Sequence, residues 1–352
     1  MKVLIIQQKM IGDVLATSIL FEAIKEKHAD YELHYLLNSH TYPVVENNPY
    51  IDKFVFFTPE HEKNTLKLIG LAKQIRKEKY DAVIDVYAKL SSQIITLFSG
   101  AKTRISTYKS FVSLYYNHLV KSEWKANEGE RAIKSRLNLL KPIGISSEVI
   151  RPKIYLKEEE IQNAKEFLSS NGLNLETPII MISLFGSSDN KTYPNEYMVK
   201  VLDFIVSKTK SQILFNYIPN QKNQALSVYK KTKKNTQAHI FLDIYAKNLR
   251  DFIALTSQCN TLIGNEGGAV NMAKAINIPT FTFFSPWIRK TSWNTATDNK
   301  THIAVHLKDY KPEIYEANNL KTIKSKVEHF YNLFEFDYFK DQLEVYLDHI
   351  IE

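Results

Sequence analysis

The chain has 352 residues, 44% of them hydrophobic and 12% aromatic, which is enough for two domains of ordinary size with substantial cores. Its net charge of +8 favours an anionic partner, such as a phosphate-bearing substrate or an acidic lipid headgroup. No apolar run approaches the roughly 20 residues of a membrane span, and no aromatic and basic motif predicts nucleic-acid binding. The single cysteine, Cys259, excludes an internal disulfide, so we expect a cytoplasmic protein.

Patterns typical of strands and helices alternate through the first 150 residues. The predicted strands are Lys2–Ile6, Glu32–Leu37, Lys53–Phe57, Asp81–Val86 and an edge strand within Gly100–Ile105. Helical patterns separate them, with apolar residues recurring at intervals of three and four. This alternation predicts a doubly wound parallel sheet.

The alternation restarts after a charged helical stretch. The predicted strands of this second series are Ile179–Leu184, Gln212–Tyr217, His239–Leu242, an apolar run ending at Gly264, and Thr280–Phe284. We therefore predict an α/β protein with two Rossmann-like domains, 1–150 and 151–311, that face each other across a cleft. The helical tail, 312–352, is expected to pack on a domain surface, and a return to the first domain is one option.

The most distinctive stretch, residues 262–279, reads as a strand, an acidic turn with two glycines, and a small-residue helix. At such strand ends, free backbone N–H groups and the positive end of a helix dipole converge on an anion. Gly267 and Gly268 let a phosphate approach the main chain, and Glu266 suits sugar hydroxyls. The turn fits a nucleotide sugar, and a plain glycine-rich turn is the alternative interpretation.

A second polar loop, residues 183–194, also follows a predicted strand and precedes a helix, so it lies at the same edge of the predicted sheet. The hydroxyls of Ser187 and Ser188 and the ammonium of Lys191 are groups that would hold a pyrophosphate. A polar loop with a solvated lysine is the alternative. Two anion-compatible loops at successive strand ends favour the binding interpretation.

The first predicted strand leads into a glycine-containing turn and a helix, without the glycine spacing of a dinucleotide site. Gly12 and Asp13 lie at or near the start of this helix. Asp13 is predicted either to cap the helix, which contributes about 1 kcal/mol, or to point its carboxylate into a cleft above the strand ends.

Taken in order, these stretches resemble the bacterial heptosyltransferases of glycosyltransferase family 9, which share the two-domain GT-B fold. Residues 11–14 are similar to the family's Ile-Gly-Asp signature, and residues 100–105 to its Gly-x-x-x-Arg-Ile element. Residues 186–194 resemble its hydroxyl-rich loop with Lys-x-Trp-Pro. Residues 266–279 resemble Asp-Ser-Gly-x-x-His-x-Ala followed by proline at the same spacing.

The resemblance implies inverting transfer of a sugar from a nucleotide diphosphate donor to a lipopolysaccharide core or a related envelope glycan. ADP-heptose is the family's default donor, no cofactor or metal ion is implied, and the enzyme would work on the cytoplasmic side, peripheral to the inner membrane. The C-terminal domain would hold the donor and the N-terminal domain the acceptor. Asp13 would be the general base that deprotonates the acceptor hydroxyl.

By the same resemblance, Ser187, Ser188 and Lys191 would bind the diphosphate and neutralise the charge that grows as it departs. Glu266 would contact donor hydroxyls, and the amides of the two glycines after it would receive phosphate. Gly12 and Asn271 are further possible site residues, to which no role is assigned here.

Three positions depart from the family pattern. Asn271 stands where the family usually has histidine, which removes a titrating imidazole. Gln221 occupies the place of a carboxylate that often binds the donor ribose, and Glu266 is one methylene longer than the usual aspartate. Two alternatives stay open: a nucleotide-sugar epimerase of the same fold, and a non-catalytic protein that binds nucleotide sugars.

Overall fold

The computed structural model describes residues 1–108, 114–121, 131–290 and 300–351, which fold as two compact units. The first unit runs to Tyr155, and the second begins at Leu156 and includes the C-terminal tail. The sequence predicted the boundary at residue 150. The few residues beyond it stay with the first domain, because the Lys153 ammonium lies 2.6 Å from the Glu22 carboxylate.

Six parallel strands within the described residues form the first sheet, in the order β3-β2-β1-β4-β5-β6. They are β1 (Lys2–Ile6), β2 (Glu32–Asn38), β3 (Lys53–Phe57), β4 (Ala82–Asp85), β5 (Thr103–Thr107) and β6 (His118–Val120). The two strands at the centre, β1 and β4, are largely apolar and buried because helices cover both faces of a parallel sheet. The chain adds β2 and β3 on one side of β1 and β4 on the other, so the topological switch point lies between β1 and β4.

Helices of the first domain connect these strands. They are α1 (Ile11–Thr17), α2 (Ile19–Lys27), α3 (Pro59–Lys63), α4 (Thr65–Lys77), α5 (Leu90–Phe98) and α6 (Arg131–Leu137), with 3₁₀ turns at Ser39–Val44 and Asn138–Ile143. Helix α4 illustrates how the sequence sets them. The Asn64 side chain caps its first turn by accepting a hydrogen bond from the Leu66 amide, and buried Leu68, Leu71 and Ile75 form its inner face.

The predicted edge strand is not at the edge. Strand β5 pairs with the short β6, with Ser106 opposite Leu119, so β6 closes this side of the sheet. Strand β6 has only three residues, which is too short for an alternating pattern to be recognised in the sequence.

Five parallel strands within the described residues form the second sheet, in the order β11-β10-β9-β7-β8. They are β7 (Ile179–Ser183), β8 (Gln212–Asn216), β9 (Thr261–Asn265), β10 (Thr280–Phe284) and β11 (His302–His306). From β7 the chain adds β8 on one side of the sheet and then β9 on the other side. The topological switch point of the sheet therefore lies between β7 and β9.

In the second sheet, one predicted strand is wrong and one observed strand was missed. Residues 239–242 form no strand, only a bridge between Ile240 and Ile213, because this short run lies outside the edge strand β8 and turns follow it. Strand β11 instead completes the opposite side of the sheet. Histidines at both ends, His302 and His306, shorten its apolar stretch, so the sequence pattern does not indicate a strand here.

The remaining helices surround the second sheet. Before the tail these are α7 (Glu158–Ser170), α8 (Asn195–Thr209), α9 (Lys222–Lys231), α10 (Lys234–Gln237), α11 (Leu249–Thr256) and α12 (Gly268–Ala275). The short α13 (Leu307–Tyr310) leads into the tail, which contains α14 (Pro312–Ala317), α15 (Leu320–Ser325), α16 (Val327–Asn332) and α17 (Lys340–Ile351). Short 3₁₀ turns lie at Asp189–Lys191, Pro219–Gln221 and Phe336–Tyr338.

The tail packs its aromatic side chains into the core of the second domain. The ring of Phe339 lies 5.1 Å from that of Phe283 in β10, and the Tyr346 hydroxyl lies 2.5 Å from that of Thr261 in β9. Fully burying one such aromatic ring stabilises the fold by about 1.5–3 kcal/mol. The tail is therefore part of the second domain's core and not an added segment.

Among the helices that the structure describes, none has both the length and the apolar composition of a membrane span.

Candidate functional site

The two polar stretches singled out in the second half of the sequence flank the point where the second sheet reverses direction. The 183–194 loop follows β7, and the acidic glycine turn follows β9, the strand that pairs with β7. In open α/β sheets, ligands bind outside the carboxyl ends of the strands at such a switch point. Topology therefore brings both stretches to the position that this fold uses for ligands.

An ion pair joins the two stretches. The Lys191 ammonium lies 3.2 Å from Oε1 of Glu266, at ion-pair distance but without hydrogen-bond alignment. Lys191 ends the 3₁₀ turn after β7, and Glu266 is the first residue after β9. The Glu266 carboxylate is 10% exposed and the lysine side chain 25% exposed, so the pair is only partly desolvated. A ligand phosphate can compete for this ammonium because the existing contact is not a fitted hydrogen bond.

The buried Asn265 side chain fixes the loop relative to the strands. Its amide nitrogen donates to the carbonyls of Ser183 and Leu184, at 3.1 and 2.9 Å, and its oxygen accepts from the Tyr193 amide at 2.6 Å. The Ser183 hydroxyl also donates to the Asn265 carbonyl at 3.0 Å, so both the side chain and the main chain of Asn265 bind this loop. A loop held in this way keeps Lys191 in one place.

Gly186 is required by the close return of the same loop. A Cβ at this position would stand 2.2 Å from the Lys191 carbonyl oxygen, which is backbone and cannot move aside alone. The absence of a side chain therefore permits the tight turn that brings Lys191 back to the strand end.

The glycine turn opens directly into helix α12. Gly267, with φ of +153°, is the residue before the helix, in a conformation that L side chains rarely adopt. A Cβ on either Gly267 or Gly268 would meet open space, so the main chain here is accessible to a ligand. Asn271, on the first turn of α12, is partly exposed, and its amide donates to the Gly267 carbonyl at 3.2 Å.

Ser187, Ser188 and Gln221 line an open cavity of about 560 Å³ beside the ends of β7 and β8. Both serines are exposed, and the Ser188 hydroxyl donates to the Asn190 side chain at 2.7 Å. The Gln221 oxygen accepts from the Ile218 amide at 3.1 Å, so its side chain also closes the local 3₁₀ turn. The predicted donor residues thus form two adjacent groups, the cavity and the Lys191–Glu266 pair.

Asp13 lies on the first turn of α1, directly after β1, at the switch point of the first sheet. It does not cap the helix: the N-cap position is Met10, which makes no side-chain cap. The Asp13 carboxylate instead accepts a hydrogen bond of 2.6 Å from Arg136 and keeps 26% of its side-chain surface exposed. Gly12, beside it, belongs to the same helical turn.

Arg136, which binds the candidate base Asp13, was not singled out in the sequence. Its guanidinium also donates to the Thr17 hydroxyl at 3.0 Å and to the Ala132 carbonyl at 2.7 Å, so it is fixed on three sides. It lies in α6, 123 residues away from Asp13, and a local sequence pattern cannot predict a contact between residues so far apart. The second domain holds another missed residue, Trp287, whose indole N–H donates to the Asn190 carbonyl at 3.0 Å.

The tail also reaches the second-domain site. Burial raises the pKa of the Tyr331 phenol, and the charge of Glu266 raises it further, so this residue of α16 lies within electrostatic range of the ion pair. The phenol therefore stays protonated and neutral beside the carboxylate at ordinary pH.

Two parallel-sheet α/β domains, each with polar residues at its switch point, are typical of the GT-B class of glycosyltransferases. The family model for glycosyltransferase family 9 (heptosyltransferase) matches residues 68–323, well over half of the chain. The chain belongs to this family and is a glycosyltransferase.

Relatives and solved structures agree with this assignment. Lipopolysaccharide heptosyltransferase 1 of Campylobacter coli is 22% identical over 302 residues, which cover 81% of this chain and 84% of that protein. The fold is similar to that of a family 9 glycosyl transferase from Veillonella parvula, with a TM-score of 0.76, 18% identity, and coverage of 94% and 97% of the two chains. It is also similar to E. coli heptosyltransferase WaaC with ADP, with a TM-score of 0.69, 14% identity, and coverage of 94% and 100%.

Proposed function

We propose that this glycosyltransferase moves a sugar, with inversion at the anomeric carbon, from a nucleotide diphosphate donor to a lipopolysaccharide core or a related envelope glycan. ADP-heptose is the proposed donor, because the family is that of the heptosyltransferases and the similar structure of WaaC has ADP bound. The proposed acceptor follows from the name of the Campylobacter relative.

One observation carries this proposal: a hydroxyl-rich loop with a lysine and a carboxylate beside two accessible glycines meet at the switch point of the second sheet. Lys191 and Glu266 are 3.2 Å apart there. A nucleotide diphosphate sugar needs a cation and amides for its phosphates and an acceptor for its hydroxyls. The Lys191–Glu266 pair and the open main chain after it supply these groups within one small region.

The proposal gives each donor residue a task. Ser187, Ser188 and Lys191 bind the diphosphate, and Glu266 accepts hydrogen bonds from donor hydroxyls. The amides of Gly267 and Gly268 receive a phosphate oxygen at the start of α12. Gln221, which lines the same cavity as the serines, is the residue proposed to hydrogen-bond the donor ribose.

The proposed reaction begins with transfer of a proton from the acceptor hydroxyl to the Asp13 carboxylate. The acceptor oxygen forms a bond to the anomeric carbon while the bond from that carbon to the phosphate oxygen breaks. The electron pair of that bond leaves with the nucleoside diphosphate, whose growing charge Lys191 neutralises, so the proposal needs no metal ion. A positioned base at the hydroxyl typically contributes about 10²–10⁴-fold to the rate.

Arg136 gives Asp13 the fixed orientation that a general base requires. Because the guanidinium binds Oδ1 and is itself held by Thr17 and Ala132, the carboxylate cannot rotate freely, yet a quarter of its surface is open. Fixed geometry is worth more than raw basicity when the reacting atoms must meet within about 3 Å.

We further propose that the first domain contacts an anionic membrane surface that carries the glycolipid acceptor. Helix α5 supports this: its apolar residues Leu90, Leu97 and Phe98 are exposed, Leu90 at 65% and Phe98 at 51%. Residues 89–104 contain three cations and no carboxylate. An exposed apolar stripe with basic flanks fits anionic headgroups.

The test is product analysis with purified protein, ADP-heptose and a truncated lipopolysaccharide core, with and without a chelator. We expect a new glycosidic product with the anomeric configuration opposite to that of the donor, formed equally well in EDTA. Interconversion of sugar epimers without transfer would favour the epimerase, and tight donor binding without turnover would favour a non-catalytic binder. Retention of configuration, or loss of activity in EDTA, would contradict the proposed mechanism.

A further inference from the structure

The ring of Trp287 contacts two lysine ammonium groups at the site proposed for the donor. It follows β10, and its ring centroid is 5.7 Å from the Lys191 ammonium and 4.4 Å from the ammonium of Lys324 in the tail. Because both nitrogens are measured from the same ring, they are at most about 10 Å apart. Both distances are in the range in which an aromatic face attracts a cation.

Trp287 is fixed to the loop that carries Lys191. Its indole nitrogen and the Ser285 hydroxyl both donate to the Asn190 carbonyl, at 3.0 and 2.9 Å. This hydrogen bond ties the ring to the loop, and the buried Asn265 side chain holds the loop by accepting from the Tyr193 amide. A cation placed on the ring is thereby placed relative to Lys191.

The two lysines differ in whether a carboxylate pairs with their charge. Lys191 is already paired with Glu266 at 3.2 Å, whereas Lys324 has no carboxylate at ion-pair distance among the residues that the structure describes. Lys324 is exposed, but fully buried Ile323 beside it anchors α15 to the second domain. The ion pair between Lys191 and Glu266 therefore leaves the charge of Lys324 unneutralised.

We propose that Lys324 is a second cation of the donor diphosphate site, positioned by Trp287. This inference rests on the proposed function and adds a residue of the tail to it. A nucleoside diphosphate brings at least two negative charges, and a single lysine paired with a carboxylate balances them poorly. Lys324 supplies the missing charge, and the ring holds its ammonium near the diphosphate without neutralising it.

The test is calorimetric titration of the wild type, Lys324→Met and Lys326→Met with ADP and with adenosine. Lys326 is an exposed lysine two positions along the chain and serves as the matched control. We expect Lys324→Met to weaken ADP binding about tenfold, or about 1.4 kcal/mol, and to leave adenosine binding unchanged. Trp287→Leu, which releases the lysine from the ring, should weaken ADP binding to a similar degree, and Lys326→Met should not.

Equal ADP affinity of the wild type and Lys324→Met would overturn the inference while leaving the proposed function intact. An equal loss for ADP and adenosine would also overturn it, because a cation that contacts the diphosphate does not act on the nucleoside alone. A wild-type protein that binds none of ADP, UDP, GDP and CDP would instead remove the proposed function, and the second cation with it.

Discussion

At the scale of single residues, His306 illustrates how a buried group makes stability depend on pH. It ends β11, its Nδ1 accepts from the Lys308 amide at 3.0 Å, and its Nε2 has no hydrogen-bond partner among the described residues. Burial lowers the pKa of His306 to about 4; Asp309 opposes this effect and Lys290 adds to it. The folded protein therefore holds this ring neutral at pH values where the unfolded chain already protonates it.

The sign of the effect follows from the two pKa values. Between about pH 6.5 and pH 4 the unfolded state binds more protons at this position, so stability falls as the pH is lowered. We expect a loss of up to about 3 kcal/mol over this window, measured by urea unfolding at a series of pH values. The loss should be smaller in His306→Asn. An unchanged slope in that variant would contradict the account of His306.

At the scale of elements, the loop after β7 depends on one glycine. In Gly186→Ala the new Cβ would collide with the Lys191 backbone, so the loop must shift and displace the ammonium. We expect ADP binding to weaken tenfold or more and stability to fall by about 1–3 kcal/mol, measured by calorimetry and denaturant unfolding.

Gly70→Ala is the matched control for this substitution. Gly70 lies within α4, and a Cβ there meets no atom within 4 Å. Replacing a helical glycine should stabilise by about 0.5–1 kcal/mol and leave ADP binding unchanged. ADP affinity in Gly186→Ala that matches the control would mean that the loop position is not needed for binding.

Prediction from sequence succeeded where a local pattern decides the structure. Strand β1, a continuous apolar run after Lys2, and strand β10, built of threonine and phenylalanine, were predicted with their observed bounds, because both consist of residues that favour buried strands. The strand expected at residues 239–242 failed because edge pairing depends on neighbours that the pattern does not contain. Strand β6 was missed for its length, and β11 because its polar ends break the apolar run.

The site divides in the same way. The sequence predicted that the loops of Lys191 and Glu266 lie at one edge of the sheet, and the two side chains are 3.2 Å apart, because each follows a strand and topology brings the strand ends together. Arg136, Trp287 and Lys324 were not found, since each reaches its site from a distant element through side-chain packing. The roles proposed for the predicted site residues stay predictions until activity is measured.

At the scale of the whole molecule, the proposed membrane contact is testable by sedimentation with vesicles. We expect binding to vesicles rich in phosphatidylglycerol, weaker binding to phosphatidylcholine alone, and release at about 1 M salt, where the screening length is about 3 Å. A double substitution, Leu90→Asn with Phe98→Asn, should reduce binding. Leu175→Asn, at a residue of the second domain that is 42% exposed, is the control and should not. Equal binding of all three proteins would exclude α5 as the contact.

The central claim is that Asp13 of the first domain removes the acceptor proton while the second domain holds the donor. It is tested most directly by measuring the rate of transfer and the ADP affinity of Asp13→Asn side by side. The account predicts that the rate falls at least about a hundredfold while ADP affinity stays at the wild-type value. Wild-type turnover in Asp13→Asn would contradict it.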